Sequence, residues 1–79
     1  MKAIVNIYLK EGVLDPQGKA IHHALDAMSF EGVEDVRVGK QIILKLSSTN
    51  EADARVEVEK MSKDILANTV IEDYTIEFI

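Results

Sequence analysis

The chain has 79 residues, a formal net charge of −5 and no cysteine. One small domain over residues 1–79 is expected, with a thin core, because a chain of this size buries only about 60% of its unfolded surface. The acidic balance, with only Tyr8, Phe30, Tyr74 and Phe78 as aromatics, argues against a nucleic-acid partner. The missing thiols exclude a disulfide framework and a thiolate metal site. No secretory leader opens the chain and no apolar run approaches the ~18 residues of a membrane span, so a cytoplasmic protein without membrane contact is expected.

Ala3, Val5, Ile7 and Leu9 alternate with Ile4, Asn6 and Tyr8, the period of a strand. Asp15-Pro16 then opens a helix. The carboxylate accepts from free first-turn amides, and Pro16 sits at the first helical position, where no amide is needed. From Pro16 to about Ser29, Ala20, Ile21, Ala24, Leu25 and Met28 form one apolar stripe, and Gly32 is the expected stop. Val36 and Val38 alternate with Asp35 and Arg37 as a second strand. Gly39-Lys40 reads as a tight turn, and Ile42, Leu44 and Leu46 alternate as a third strand. The alternative is one long strand bent at Gly39. Ser47 to Asn50 is a turn and cap cluster before a second helix, whose stripe is Ala54, Val58, Met61 and Ile65. Asn68 is the expected left-handed stop, and Tyr74, Ile76 and Phe78 make the last strand.

The order βαββαβ, with two helices on one face of an antiparallel sheet, is an α+β, ferredoxin-like plan. If Ala3, Val5, Ile7, Ile42, Leu44, Leu46, Tyr74, Ile76 and Phe78 face the helices, the opposite face keeps Ile4, Tyr8, Ile43 and Ile79. These four are candidates for self-association.

Little in the chain suggests chemistry of its own. His22 and His23 are adjacent, about 100° apart on a helix, and do not form the i, i+4 metal pair. Both read as surface or interface histidines, with a His23–Asp26 hydrogen bond or half a metal site as the alternatives. Ser29, Ser47, Ser48 and Ser62 lie at helix ends, in a turn or on an exposed helical face, with no nucleophile constellation around them. No phosphate-binding glycine loop is present. Neither a catalytic residue nor a metal site is expected on this chain.

Three segments carry a resemblance. They are Val13 to Ala20, Val33 to Lys40 (with Val36-Arg37-Val38-Gly39-Lys40 at its centre) and Leu66 to Tyr74. In these, in order and at similar spacing, the chain resembles PurS, the small subunit of phosphoribosylformylglycinamidine synthase. The resemblance implies the related PurS-like α+β fold, a homodimer or tetramer, and two larger partners: a PurQ-type glutaminase subunit that makes ammonia and a PurL-type synthetase subunit. It implies that ATP and Mg belong to the large subunit and that no cofactor is bound by this chain alone. The implied role is to dock the two partners while formylglycinamide ribonucleotide is converted to formylglycinamidine ribonucleotide.

The partner-interface candidates come from the same segments. Gln17, Gly18 and Lys19 open the first helix behind Asp15, and a glycine there permits close approach of another backbone. Arg37 and Lys40 flank Gly39, and an arginine on a strand edge suits a bidentate bond to a carboxylate. Asn68, Thr69, Glu72, Asp73 and Tyr74 form a polar connection whose order folding alone does not require. The competing reading is a ferredoxin-like dimeric module that binds a regulatory small molecule between subunits.

Overall fold

A computed structural model describes residues 1–79. The elements are β1 (Lys2–Leu9), α1 (Pro16–Ala27), β2 (Gly39–Lys45), α2 (Glu51–Met61), a π-helical turn (Ser62–Leu66) and β3 (Glu72–Phe78). β1 is the central strand of a three-stranded antiparallel sheet of order β2-β1-β3. Val5 lies opposite Ile42 on one side and Ile76 on the other, and Ala3 lies opposite Leu44 and Phe78. Strand alternation therefore puts all of these on one face, as the apolar pattern requires.

α2 covers part of that face. Val58 is fully buried against Ala3, Val5, Ile7 and Ala67. Two side-chain ties to β3 set the angle of the helix: Arg55 lies 4.8 Å from the centre of the Phe78 ring, and the Tyr74 hydroxyl donates to Glu59 at 2.8 Å. The opposite face carries a polar ladder in register across all three strands. Gln41 donates to Asn6 at 2.9 Å, and Asn6 donates to Thr75 at 3.4 Å. Half-buried Ile4 and exposed Tyr8, Ile43 and Ile79 are interleaved with it.

The α+β class and the antiparallel sheet with two helices are as the pattern implies, but several local expectations are corrected. Val36–Val38 is not a strand, and Gly39-Lys40 is not a turn. Gly39 and Lys40 begin β2, opposite Tyr8 and Ile7. The reason is that the Val38 amide donates to the Asp15 carboxylate at 2.7 Å, so it is withdrawn from any ladder. α1 does not pack on the sheet beside α2. Its only buried residue is Gly18, and Ile21 and Met28 lie in solvent. The chain is accordingly long and thin, 49 × 25 × 14 Å.

The helix ends also differ. α1 stops before Gly32, through Ser29, which takes a left-handed φ of 67°. The Phe30 amide reaches the Leu25 carbonyl and the Ser29 amide reaches that of Asp26, each at 3.0 Å, the paired bonds of a Schellman cap. After Met61 the backbone widens into the π turn, closed by Ala67 N–H to the Ser62 carbonyl at 2.9 Å. The wider turn rotates Ile65 out of the stripe to 81% exposure and brings Leu66 and Ala67 onto the core. Ser62 faces inward, not outward, with its hydroxyl donating to the Val58 carbonyl at 2.8 Å. Asn68 is not left-handed. The helix ends at Ala67, which is extended (φ −119°), and the Asn68 carbonyl opens the following turn by accepting from the Ile71 and Glu72 amides.

Ser29 is the only non-glycine residue with positive φ, a conformation that costs an L-residue roughly 1–2 kcal/mol. Ser29→Gly is expected to raise the urea midpoint, by about 1 kcal/mol of stability once the more flexible unfolded chain is counted. An unchanged or lowered midpoint in urea unfolding followed by circular dichroism would show that the strain is absent.

Candidate functional site

The three segments singled out in the sequence converge at the end of the sheet where β1 finishes. Asp15 is the knot. It is the N-cap of α1 and only 4% exposed. One carboxylate oxygen accepts from the Gly18 amide at 2.8 Å and the other from the Val38 amide at 2.7 Å. These two bonds, that to Val38 foremost, hold the carboxyl below its ordinary value of 3.8, with a smaller contribution from the Arg37 charge. Gly18 is where α1 crosses the chain from the second segment. A Cβ there would overlap the Val36 carbonyl oxygen.

Lys10 is a second junction, and the sequence reading did not include it among the site residues. Its ammonium contacts Asp73 at 2.8 Å, its carbonyl accepts from Arg37 at 3.3 Å, and its amide donates to the Ile71 carbonyl at 2.8 Å. Lys10 thus joins the strand exit to both other segments. The Lys10–Asp73 pair is about half exposed on both sides, so its weight is in geometry more than in energy. The signal available for it was the charge of Lys10 directly after a strand, which is common on any surface.

The connection Asn68–Tyr74 proves to be largely self-bonded. The Asn68 amide donates to Glu72 at 2.7 Å, and the Asn68 side chain accepts from the Val70 amide at 3.2 Å. Asp73 holds Lys10, and Tyr74 holds Glu59, which raises the pKa of the phenol. Folding does, then, account for Asn68, Glu72, Asp73 and Tyr74 in this order. Of the candidates, Asp15 and Gly18 are buried within the chain, while Gln17, Lys19, Arg37, Lys40 and Thr69 are exposed.

Gln17, Lys40 and Glu72 line an open cleft of about 450 Å³ together with Tyr8, Leu9 and Pro16. Its carboxylates are already engaged: Asp15 with two amides, and Glu72 with Asn68. On α1 it is His22, not His23, that makes contacts. Its Nε2 lies 2.7 Å from the Val33 carbonyl and 3.9 Å from Asp26. No group of three or more His, Asp and Glu side chains is placed to hold a metal ion. No helix is long and apolar enough to cross a membrane.

Comparison with known proteins gives one consistent answer. The family model of PurS, described as phosphoribosylformylglycinamidine (FGAM) synthase, matches residues 2–79. The subunit PurS of this synthase from Bacillus subtilis is 49% identical over 76 residues, covering 96% of this chain and 89% of that protein. Its counterpart from Methanocaldococcus jannaschii is 45% identical, covering 96% and 92%. The solved Bacillus subtilis PurS structure superposes with a TM-score of 0.85, covering 96% of this chain and 94% of that one. A chain in the structure of PurLQS from Thermotoga maritima, 28% identical, superposes with a TM-score of 0.90 over 99% of this chain and 95% of that one.

Two outcomes test the knot. Gly18→Ala is expected to destabilise the fold by at least about 1–3 kcal/mol, because the added methyl meets backbone, which cannot swing aside. Asp15→Asn is expected to be less stable than the parent at neutral pH. Since the folded carboxyl titrates below its unfolded value, its stabilisation is present above about pH 4. It is lost as pH falls through the folded pKa, so the gap between parent and variant closes in acid. A gap that widened on acidification, measured by urea unfolding across pH 2–7, would contradict the assignment.

Proposed function

The chain belongs to the PurS family of phosphoribosylformylglycinamidine synthase subunits, and from that premise we propose that it is the coupling subunit of the complex, without a catalytic residue of its own. It dimerises and bridges a PurQ-type glutaminase to a PurL-type synthetase, so that ammonia released from glutamine reaches the synthetase without passing through bulk water. ATP and Mg belong to the synthetase. We assign the chain to the cytoplasm on the same reading.

The physical logic is effective concentration. Free ammonia is diluted and protonated at neutral pH, whereas two sites held together supply it locally. The observation that carries the reading is the convergence of the three segments on one rigid end of the sheet. There Gln17, Lys19, Lys40 and Thr69 are presented outward while Asp15, Gly18, Glu72 and Asp73 hold the frame. A recognition surface on short connections fixed by a rigid scaffold suits docking. The small-molecule reading falls behind it, because the carboxylates at the 450 Å³ cleft already bind the chain's own groups.

Reconstituted glutaminase and synthetase, assayed with and without this chain, separate the roles. Omission is expected to abolish glutamine-dependent synthesis and to leave ammonia-dependent synthesis intact. The double substitution Gln17→Ala, Lys40→Glu is expected to lower the glutamine-dependent rate alone, with an unchanged circular dichroism spectrum. Full glutamine-dependent activity without the chain would refute the coupling role.

A further inference from the structure

We propose that the outer edge of β3 takes an extended, basic segment of one of the larger subunits as a further strand of the sheet. This rests on the bridging reading above and adds where a partner is held and by which chemistry.

The first observation is an open backbone edge. Lys2 and Ile79 exchange both of their amide–carbonyl bonds, and the Lys10 amide donates to the Ile71 carbonyl. The β1–β3 register is unbroken, so strand alternation turns the backbone of Asp73, Thr75 and Glu77 toward β1 as well. The amides and carbonyls of Tyr74, Ile76 and Phe78 therefore point away from β1, and no turn, loop or cap bond takes them up. No bulge, proline or lysine guards this edge, the devices that keep a free strand from pairing.

The edge is also stiff. α2 ties it near both ends, through the Tyr74 hydroxyl on Glu59 at 2.8 Å and through Arg55, 4.8 Å from the centre of the Phe78 ring. A strand already held in place loses little freedom when another pairs with it. Free backbone groups in fixed alternation are what strand addition uses, while alternate side chains give specificity.

The second observation is charge, and it selects the occupant. β3 carries Glu72, Asp73 and Glu77 and no basic residue. Lys10 engages Asp73, and the Asn68 amide engages Glu72. Glu77 lies in solvent, outside both ion pairs of the chain. The β3 of a second copy suits this edge badly. Antiparallel pairing centred on Thr75 sets Asp73 against Glu77 twice, and like charges directly opposite are destabilising. The β2 of a second copy, with Lys40 and Lys45, matches in charge. But β2 on β3 is a head-to-tail contact, which a pair of copies cannot close. The segment that fits is basic at its first and fifth positions, opposite Glu77 and Asp73. It is apolar at its second and fourth, opposite half-buried Ile76 and Tyr74.

The test is amide hydrogen exchange at Tyr74, Ile76 and Phe78, in this chain alone and in its reconstituted complex with glutaminase and synthetase. Open exchange is expected in the chain alone, with about tenfold slowing or more in the complex. A synthetic chain with an N-methyl group on the Ile76 amide keeps every side chain and every bond to β1. It is expected to raise the chain concentration for half-maximal glutamine-dependent synthesis by about tenfold or more, with unchanged sedimentation and circular dichroism. Glu77→Lys is expected to raise it about threefold. Slow exchange at Ile76 in the chain alone would overturn the proposal, since a second copy would then hold the edge. So would an active complex in which Ile76 stays open and the N-methyl chain works as well as the parent, a result that leaves the bridging role standing. A parent chain that co-sediments with neither subunit would overturn the bridging role, and the strand addition with it.

Discussion

The structure depends on one carboxylate shared between two parts of the chain. Asp15 caps α1 through Gly18 and at the same time takes the amide of Val38, twenty-three residues on. A helix cap ordinarily fixes only where a helix begins. Here the second oxygen also fixes where β2 begins, because Val38 is held outside the ladder and Gly39 is the first residue free to pair. It fixes the direction of α1 as well. The helix is braced along residues 33–38 and leaves the sheet end instead of folding back over it. A neutral side chain of the same shape could satisfy part of this geometry, but two charge-assisted bonds in a nearly closed site are stronger than their neutral counterparts.

Much of the fold was legible because it obeys local rules. The alternation of Ala3, Val5 and Ile7, and of Tyr74, Ile76 and Phe78, gave two strands and the buried face they share. Asp15-Pro16 gave the start of α1, and the Ser47–Asn50 cluster that of α2, where Asn50 accepts from the Asp53 amide. What failed was of two kinds, a contact with a distant partner and departures from regular helix geometry. Val36 and Val38 alternate like a strand, but alternation does not reveal that an amide is already taken by a carboxylate elsewhere. The 54, 58, 61, 65 spacing assumed 3.6 residues per turn, and the π turn after Met61 changed that count at Ile65. The expectation of a glycine stop passed over Ser29, which adopts a left-handed conformation that its neighbours impose.

The site was partly legible for the same reason. Resemblance located the three segments, but their side chains divide into two jobs that a linear reading does not separate. Asp15, Gly18, Glu72, Asp73 and Tyr74 hold the frame through bonds inside the chain, and Gln17, Lys19, Lys40 and Thr69 remain outside. Glu59 was missed, since it acts only through Tyr74, far away in sequence. The result is a small subunit built to hold surfaces in fixed relation. Its core is thin, one helix is unattached to the sheet, and its firmest bonds lie at the junction of segments. Such a design fits the docking role proposed above.

The most direct test of this account is amide hydrogen exchange at Val38 in the intact protein. Val38 lies in no strand and no helix, so its protection depends on Asp15 alone. The account predicts slow exchange at neutral pH, comparable with the central strand amides. It also predicts selective loss of that protection in Asp15→Asn, with Val5 still protected. Exchange at Val38 as fast as at an open loop amide would show that the carboxylate does not join the two segments, and α1 would lose its brace.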